Sequence, residues 1–267
     1  MTITKNSIAN NLVQLKEKAP LVHNITNYVV MNTTANALLA IGASPVMAHA
    51  AEEMADMVSI ASALVLNIGT LDNQWIEGML EAGKAAKKKG IPIILDPVGA
   101  GATPLRTKTC WKIIENCSPT VIRGNSSEIM ALINEGIKTK GVDSTMSTED
   151  ALTAAKALAL QINATVVISG ETDYITDGVN THSIKNGHPL MPKVTGLGCT
   201  ASALCGAFCA TNQNTIEACT SAMAIMGIAG EIAARSSNGP GTLQLHFLDI
   251  LYNLSTTHIE ENYIYES

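Results

Sequence analysis

The stretch Ile91–Gly101, I-P-I-I-L-D-P-V-G-A-G, passes within eleven residues from an apolar, β-branched run to an acid, a proline and two glycines. An uninterrupted apolar run is what a strand covered on both faces requires, and Pro97 keeps the residue after Asp96 out of a helix. Asp96 therefore stands at the carboxyl end of a buried strand, at the head of a glycine loop. Helical patterns flank the stretch at Gln74–Lys89 and Arg106–Asn116. The same unit recurs outward from it, with Ala63–Ile68, Thr120–Arg123 and Ala164–Ser169 read as strands, each followed by a turn and a helical pattern. Further helices are expected at Ser7–Glu17, Val29–Ile41, Ala51–Ser62, Ser126–Glu135 and Thr148–Gln161, and the last third reads as nearly all helix. Such alternation predicts an α/β fold: a central, mostly parallel sheet with helices on both faces.

Ligands in such folds gather beyond the carboxyl ends of the strands. The residues there are Gly69-Thr70, Asp96 to Gly101, Gly124 to Glu128 and Gly170-Glu171, and they are expected to share one rim. Between Gly170 and Pro192 the pattern shortens to Tyr174–Asp177 and Thr181–Ile184 around Gly178 and Asn180, the mark of an antiparallel hairpin. The polar stretch Lys138–Glu149 reads as an exposed loop, and the polar, acidic tail from Thr256 to Ser267 as partly disordered. With no repeat, low-complexity stretch or linker, residues 1–267 are expected to form one domain.

Composition narrows the function. The 267 residues are 46% hydrophobic and only 15% charged, enough for a substantial core. A net charge of -6, with Lys87-Lys88-Lys89 as the sole basic cluster, argues against nucleic acid, which demands many cations on one face. No basic-then-apolar leader opens the chain and no apolar run approaches membrane length, so a cytoplasmic protein without membrane contact is expected. The six cysteines show no C-x-x-C spacing. Cys205 and Cys209 lie one helical turn apart, a spacing that suits a metal, but without a His or a second pair they read as core thiols.

Val194–Ala203, V-T-G-L-G-C-T-A-S-A, adds the chemistry. Gly196 and Gly198 permit a tight turn and close backbone approach, and the helix that follows carries no charge, so its open amides and positive dipole end would hold an anion in a partly water-free setting, or the run is only a close-packing turn. Neither a Walker A motif nor G-x-G-x-x-G occurs. Arg123 ends a buried strand and is suited to grip phosphate, with an ion pair to Glu128 as the rival account. Asp96 and Glu128 together would suit a hard divalent cation, most plausibly magnesium, although Glu128, three residues after Asn125, also fits an N-terminal capping box. Cys199 sits where a helix dipole would lower a thiol's pKa and make it reactive, and equally where a small residue lines a pocket. Leu21 to Asn36 crowds His23, Asn24, Thr26, Asn27 and Asn32 together, to bind a small polar ligand or, for Asn27, to cap a helix. Met47 is of the adaptable type that closes over a flat ring, and equally a core residue.

In order, VHNITNYVVMN, GASPVMA, LVLNIGTL, ILDPVGAGATP, VIRGNSSEI and KVTGLGCTAS run over nearly the whole chain. This set resembles the hydroxyethylthiazole kinases of thiamine salvage, a branch of the ribokinase-like superfamily. The resemblance implies a three-layer α/β/α fold, ATP as co-substrate, Mg2+ and a homotrimer with sites near subunit interfaces. It implies that Asn27, Met47, Gly69 and Gly196 line a thiazole pocket, that Asp96 and Glu128 organise magnesium, and that Arg123, Asn125 and Ser169 contact the nucleotide. Ser169 departs mildly from the Thr of many relatives. Gly196, Gly198 and Cys199 would form the anion hole for the moving phosphoryl group. The wider superfamily carries a basic Asp where Cys199 stands, so base catalysis is weaker here. The implied reaction is ATP-dependent phosphorylation of the primary alcohol of 4-methyl-5-(2-hydroxyethyl)thiazole. The nearest alternative is a kinase of hydroxymethylpyrimidine or another small alcohol. From a different class, Cys199 would be the nucleophile of a hydrolase or acyl transferase with His23 or His49 as base.

Overall fold

In a computed structural model that describes residues 3–136 and 148–264, eight strands form one sheet in the order β2-β1-β3-β4-β5-β6-β7-β8. Strands β1 (Leu21–Ile25), β2 (Ser44–Val46), β3 (Ala63–Asn67), β4 (Ile93–Asp96), β5 (Val121–Asn125) and β6 (Thr165–Ser169) run parallel. The expected hairpin supplies β7 (Asp173–Thr176) and β8 (Thr181–Ile184), both antiparallel. Strands β3 and β4 are buried at every position.

Helices α1 (Lys5–Lys18), α2 (Met31–Ile41), α8 (Leu197–Cys209), α9 (Thr215–Arg235), α10 (Pro240–Asn253) and α11 (Thr256–Asn262) pack through one apolar cluster on one face of the sheet. The other face carries α3 (Met54–Ile60), α4 (Asn73–Lys89), α5 (Pro104–Cys117), α6 (Ser126–Gly136) and α7 (Thr148–Ile162) over a second cluster. The expected three layers are present.

The helix boundaries follow local chemistry. Asp72 and Thr103 cap α4 and α5 through their side chains, and Pro104 opens α5 where its missing N–H costs nothing. Gly90 closes α4 at φ +79°, in the left-handed region that glycine enters most easily.

Three expectations change. The segment Leu21–Ile25 is a central strand although His23 and Asn24 lie inside it, because both are fully buried and partly satisfied at the backbone: His23 Nε2 with the Ala48 carbonyl, Asn24 Nδ2 donating to the Val22 carbonyl. Of the tail read as partly disordered, Thr256–Asn262 form α11, where Ile259 is fully buried, and residues 265–267 lie outside the described residues. Helix α9 is long and apolar enough to cross a membrane, contrary to the expectation that no run is, but most of it is buried in the core. The loop read at Lys138–Glu149 lies almost wholly outside the described residues, its last two positions belonging to α7.

Candidate active site

Because β3, β4, β5 and β6 are parallel and in register, their last residues stand side by side: Asn67 pairs with Asp96, and Asn125 with Ser169. A cavity of about 420 Å3 opens at this rim and reaches the first turn of α8.

One side of the cavity is formed by the first turn of α8 and a buried arginine. Gly196 caps α8 at φ +87°, without a side-chain cap; a Cβ there would lie 2.7 Å from Val30 Cγ1. Helix α8 is almost wholly buried, so its open amides point from a dry core toward the cavity. Across from them Arg123, 7% exposed, donates Nη1 to the Gly198 carbonyl (2.9 Å) and Nη2 to Ser169 Oγ (2.6 Å). Its Nε is buried without a partner, and it makes no ion pair with Glu128 among the described residues. A buried guanidinium at a helix N-terminus, with the Asp96 charge near it but no direct ion pair to a carboxylate among the described residues, fits the phosphate reading better than the Glu128 ion-pair reading.

The carboxylates occupy the middle. Asp96 is 1% exposed, and its Oδ2 accepts from Asn67 Nδ2 (2.7 Å) and Ser202 Oγ (2.8 Å). Burial pushes its pKa up to about 6; the nearby Glu128 charge adds to this, while Arg123, Ser202 and Asn67 oppose it. Glu128 Oε1 accepts from the Gly99 amide and Oε2 from the Asn125 amide, each at 2.9 Å, and Asn125 Oδ1 accepts from the Glu128 amide at 2.9 Å. The capping box is therefore real, and it also binds the Asp96–Gly101 loop to α6. Each Glu128 oxygen keeps a lone pair. Two carboxylates beside a phosphate-type site match magnesium, which takes one or two protein carboxylates and completes its shell with water and phosphate.

The remaining side is lined by Asn27, Gly69 and Cys199. Asn27 Nδ2 lies 3.5 Å from Cys199 Sγ and donates to Asn67 Oδ1 (2.9 Å), and a Cβ on Gly69 would stand 2.6 Å from the same Nδ2. The expected activation of Cys199 does not hold. Burial, then the Asp96 charge, push its pKa up to about 11 against the hydrogen bonds from Asn67 and Asn27 and the charge of Arg123. Burial beside Asp96 favours the protonated thiol. His23 faces the Ala48 carbonyl and His49 stacks on Trp75 with centroids 4.2 Å apart, so neither forms a dyad with it. The nucleophile reading fails on both counts.

The profile of the hydroxyethylthiazole kinase family matches residues 12–257. The chain belongs to the hydroxyethylthiazole kinase family. It is 58% identical over 260 residues to the hydroxyethylthiazole kinase of Syntrophus aciditrophicus (strain SB), covering 97% of this chain and 96% of that one. A relative of the same name from Brachyspira hyodysenteriae is 55% identical over 254 residues, covering 95% and 96%. The solved hydroxyethylthiazole kinase from Pyrococcus horikoshii OT3 superposes with a TM-score of 0.91 at 44% identity over 98% of both chains. A ribokinase-like protein from Enterococcus faecalis V583, 16% identical with a TM-score of 0.64 and 95% of both chains covered, shares the fold.

Within this hydroxyethylthiazole kinase fold, Asn27, Gly69, Asp96, Arg123, Asn125, Glu128, Ser169, Gly196, Gly198 and Cys199 all line the cavity. Met47 does not: it is half-buried just past the edge strand β2. Sequence reasoning missed Asn67 and Ser202 beside Asp96, and it missed Arg106. The Arg106 guanidinium joins the Ile68, Gly69 and Val98 carbonyls. A signal existed for each: an amide ending an apolar strand, a hydroxyl one turn after Cys199, and a cation in the first turn of a helix, where the dipole repels it. A larger depression of about 560 Å3 lies between α4 and α5, where Glu77 and Glu81 face Lys108 and Lys112, away from the strand ends.

Proposed function

We propose that the chain phosphorylates the primary alcohol of 4-methyl-5-(2-hydroxyethyl)thiazole with ATP as donor, in thiamine salvage. The observation that carries this reading is the buried Arg123, bonded to the Gly198 carbonyl at the uncapped N-terminus of α8, with Asp96 and Glu128 on one flank and the Asn27–Gly69–Cys199 wall on the other. Arg123 and the amides of Leu197, Gly198 and Cys199 take the charge of the transferred phosphoryl oxygens, while Asn125 and Ser169 border the nucleotide. Asp96 and Glu128 hold Mg2+, which when bound neutralises phosphate charge. Asn27, Gly69 and Gly196 shape the thiazole pocket, and Cys199 packs at the alcohol.

Phosphoryl transfer passes through a loose transition state in which positioning and charge neutralisation provide most of the acceleration, so early removal of the alcohol's proton is not required. A thiol with its pKa near 11 is consistent with that economy.

Residues 1–267 act as one kinase domain, a reading supported by a family match from residue 12 to 257 and by one sheet joining Leu21 to Ile184. The working form is a homotrimer whose neighbour covers the rim. Tyr28 and Val29, 61% and 64% exposed beside the cavity, and Met47 outside it support this. Six free cysteines suit a reducing cytoplasm. A coupled ADP-release assay with ATP and Mg2+, comparing hydroxyethylthiazole, hydroxymethylpyrimidine and no acceptor, tests the reading. Turnover with the thiazole alone is expected, and equal turnover without acceptor would defeat it.

A further inference from the structure

The amides of Asn27 and Asn67 are oriented by the backbone and not by each other. Asn27 Oδ1 accepts from the Val29 amide (3.1 Å) and Asn67 Oδ1 from the Gly69 amide (3.0 Å); a backbone N–H only donates, so both side-chain oxygens are assigned without ambiguity. The two NH2 groups must then point onward. Asn27 Nδ2 donates to Asn67 Oδ1 at 2.9 Å and lies 3.5 Å from Cys199 Sγ, and Asn67 Nδ2 donates to Asp96 Oδ2 at 2.7 Å. Ser202 Oγ donates to the same Asp96 oxygen at 2.8 Å, so among the described residues no side-chain or backbone donor reaches Oδ1, and Asp96 lines the cavity.

Every member is nearly or fully buried: Asn27 is 4% exposed, Asn67 and Asp96 are 1%, and Ser202 is 0%. The pairing has a cause in the sheet. Asn67 and Asp96 are register partners on β3 and β4, so their side chains leave the same face together.

We infer that Asn67 is a positioning residue that couples the two halves of the site: one amide sets Asn27 and Gly69 on the alcohol side and turns the Asp96 carboxylate so that Oδ1 is presented to the metal. This rests on the proposed roles of Asn27 and Asp96. A buried polar chain in a low-dielectric setting resists reorientation, and a displacement at either end is felt at the other. An Asn that merely satisfied a strand end would lower stability without touching two ligands at once.

The variants are Asn67→Ala, the near-isosteric Asn67→Asp, and Asp96→Asn as control. Hydroxyethylthiazole binding is measured by calorimetry without nucleotide or metal, Mn2+ binding by electron paramagnetic resonance with a non-hydrolysable ATP analogue, and the analogue's own binding without metal. Asn67→Ala should weaken thiazole and Mn2+ each by about tenfold, the lower end of what loss of a ligand's hydrogen-bonding partner costs, while metal-free analogue binding stays within about threefold. At pH 8, Asn67→Asp keeps the acceptor for Asn27 and Gly69 but sets a second carboxylate against Asp96, so that the two either repel or share a proton and Oδ1 no longer meets the metal as a simple carboxylate oxygen. It should therefore leave thiazole binding within about threefold and change Mn2+ binding by more than that. Should Asn67→Ala fail to fold, that contrast decides alone. Asp96→Asn that weakens Mn2+ beside an Asn67→Ala that does not, or an Asn67→Asp that moves neither ligand, overturns the inference. Asp96→Asn with unchanged Mn2+ binding overturns the site reading itself, and the inference with it.

Discussion

Replacing Arg106 by alanine should damage the thiazole side of the site from outside the cavity. Half-buried in the first turn of α5, Arg106 donates Nη1 to the carbonyls of Ile68 (2.8 Å) and Val98 (2.7 Å) and Nη2 to that of Gly69 (2.8 Å), and its stem passes under Gly99. It thus ties the end of β3 to the loop after β4. Hydrogen bonds to a charged group contribute about 1.5 kcal/mol or more each, and water can replace part of that at a half-buried position, so the net loss is put at about 2–4 kcal/mol. For a chain of this size each kcal/mol shifts the melting temperature by about 2 °C, which predicts a drop of about 4–8 °C. With Gly69 freed against Asn27, the thiazole KM should rise by about tenfold, equivalent to about 1.4 kcal/mol. Scanning fluorimetry and initial-rate kinetics read both, with Arg106→Lys, which reaches fewer carbonyls, falling between. An Arg106→Ala protein with wild-type melting temperature and unchanged thiazole KM would refute the clamp.

Cys199→Ala should lower kcat only partly and Cys199→Asp should keep or raise it; complete loss in the alanine variant with intact thiazole binding would contradict a merely packing thiol. With its pKa pushed up to about 11, Cys199 should alkylate with iodoacetamide at pH 7.5 at least about tenfold more slowly than free cysteine, whose pKa is about 8.5. Mass spectrometry measures this, and equal rates would count against a buried neutral thiol. Asp173 has its pKa raised from 3.8 to about 6, by burial against the Gly170 hydrogen bond and the Arg123 charge. The folded state therefore binds that proton more tightly than the unfolded one, and the stability it contributes is present below 3.8 and lost as pH rises through about 6. Asp173→Asn should flatten the decline between those limits by about 3 kcal/mol in denaturant titrations, and an unchanged slope would exclude Asp173 as its source. Gly69→Ala sets a Cβ 2.6–2.7 Å from the Asn27 side chain and should raise the thiazole Kd by about tenfold or more, equivalent to about 1.4 kcal/mol, with calorimetry showing otherwise if Asn27 plays no part.

Periodicity disclosed what depends on apolar continuity. Strands β3 to β6 and the helices between them were legible because burial on both faces leaves unbroken apolar runs such as A-L-V-L-N and T-V-V-I-S. Strand β1 was not, since His23 and Asn24 interrupt its pattern and their burial depends on partners contributed from tertiary structure. Spacing sufficed for the Asn125–Glu128 box, a local device, and the α8 glycine turn stood out from its small-residue helix. Asn67, Ser202 and Arg106 escaped because their meaning lies in strand register and in contacts 29, 106 and 38 residues away. The sign of the Cys199 shift also required the fold: a helix start lowers a thiol's pKa in the open, but burial beside Asp96 raises it.

Phosphorus NMR of the reaction mixture tests the central claim most directly. With the protein, ATP, Mg2+ and hydroxyethylthiazole, ATP should be converted to ADP together with an equimolar phosphomonoester resonance that the thiazole monophosphate accounts for by mass, and nothing should change when the thiazole is left out. Release of inorganic phosphate independent of the thiazole, or no consumption of ATP at all, would contradict the assignment of the cavity to this alcohol and this transfer.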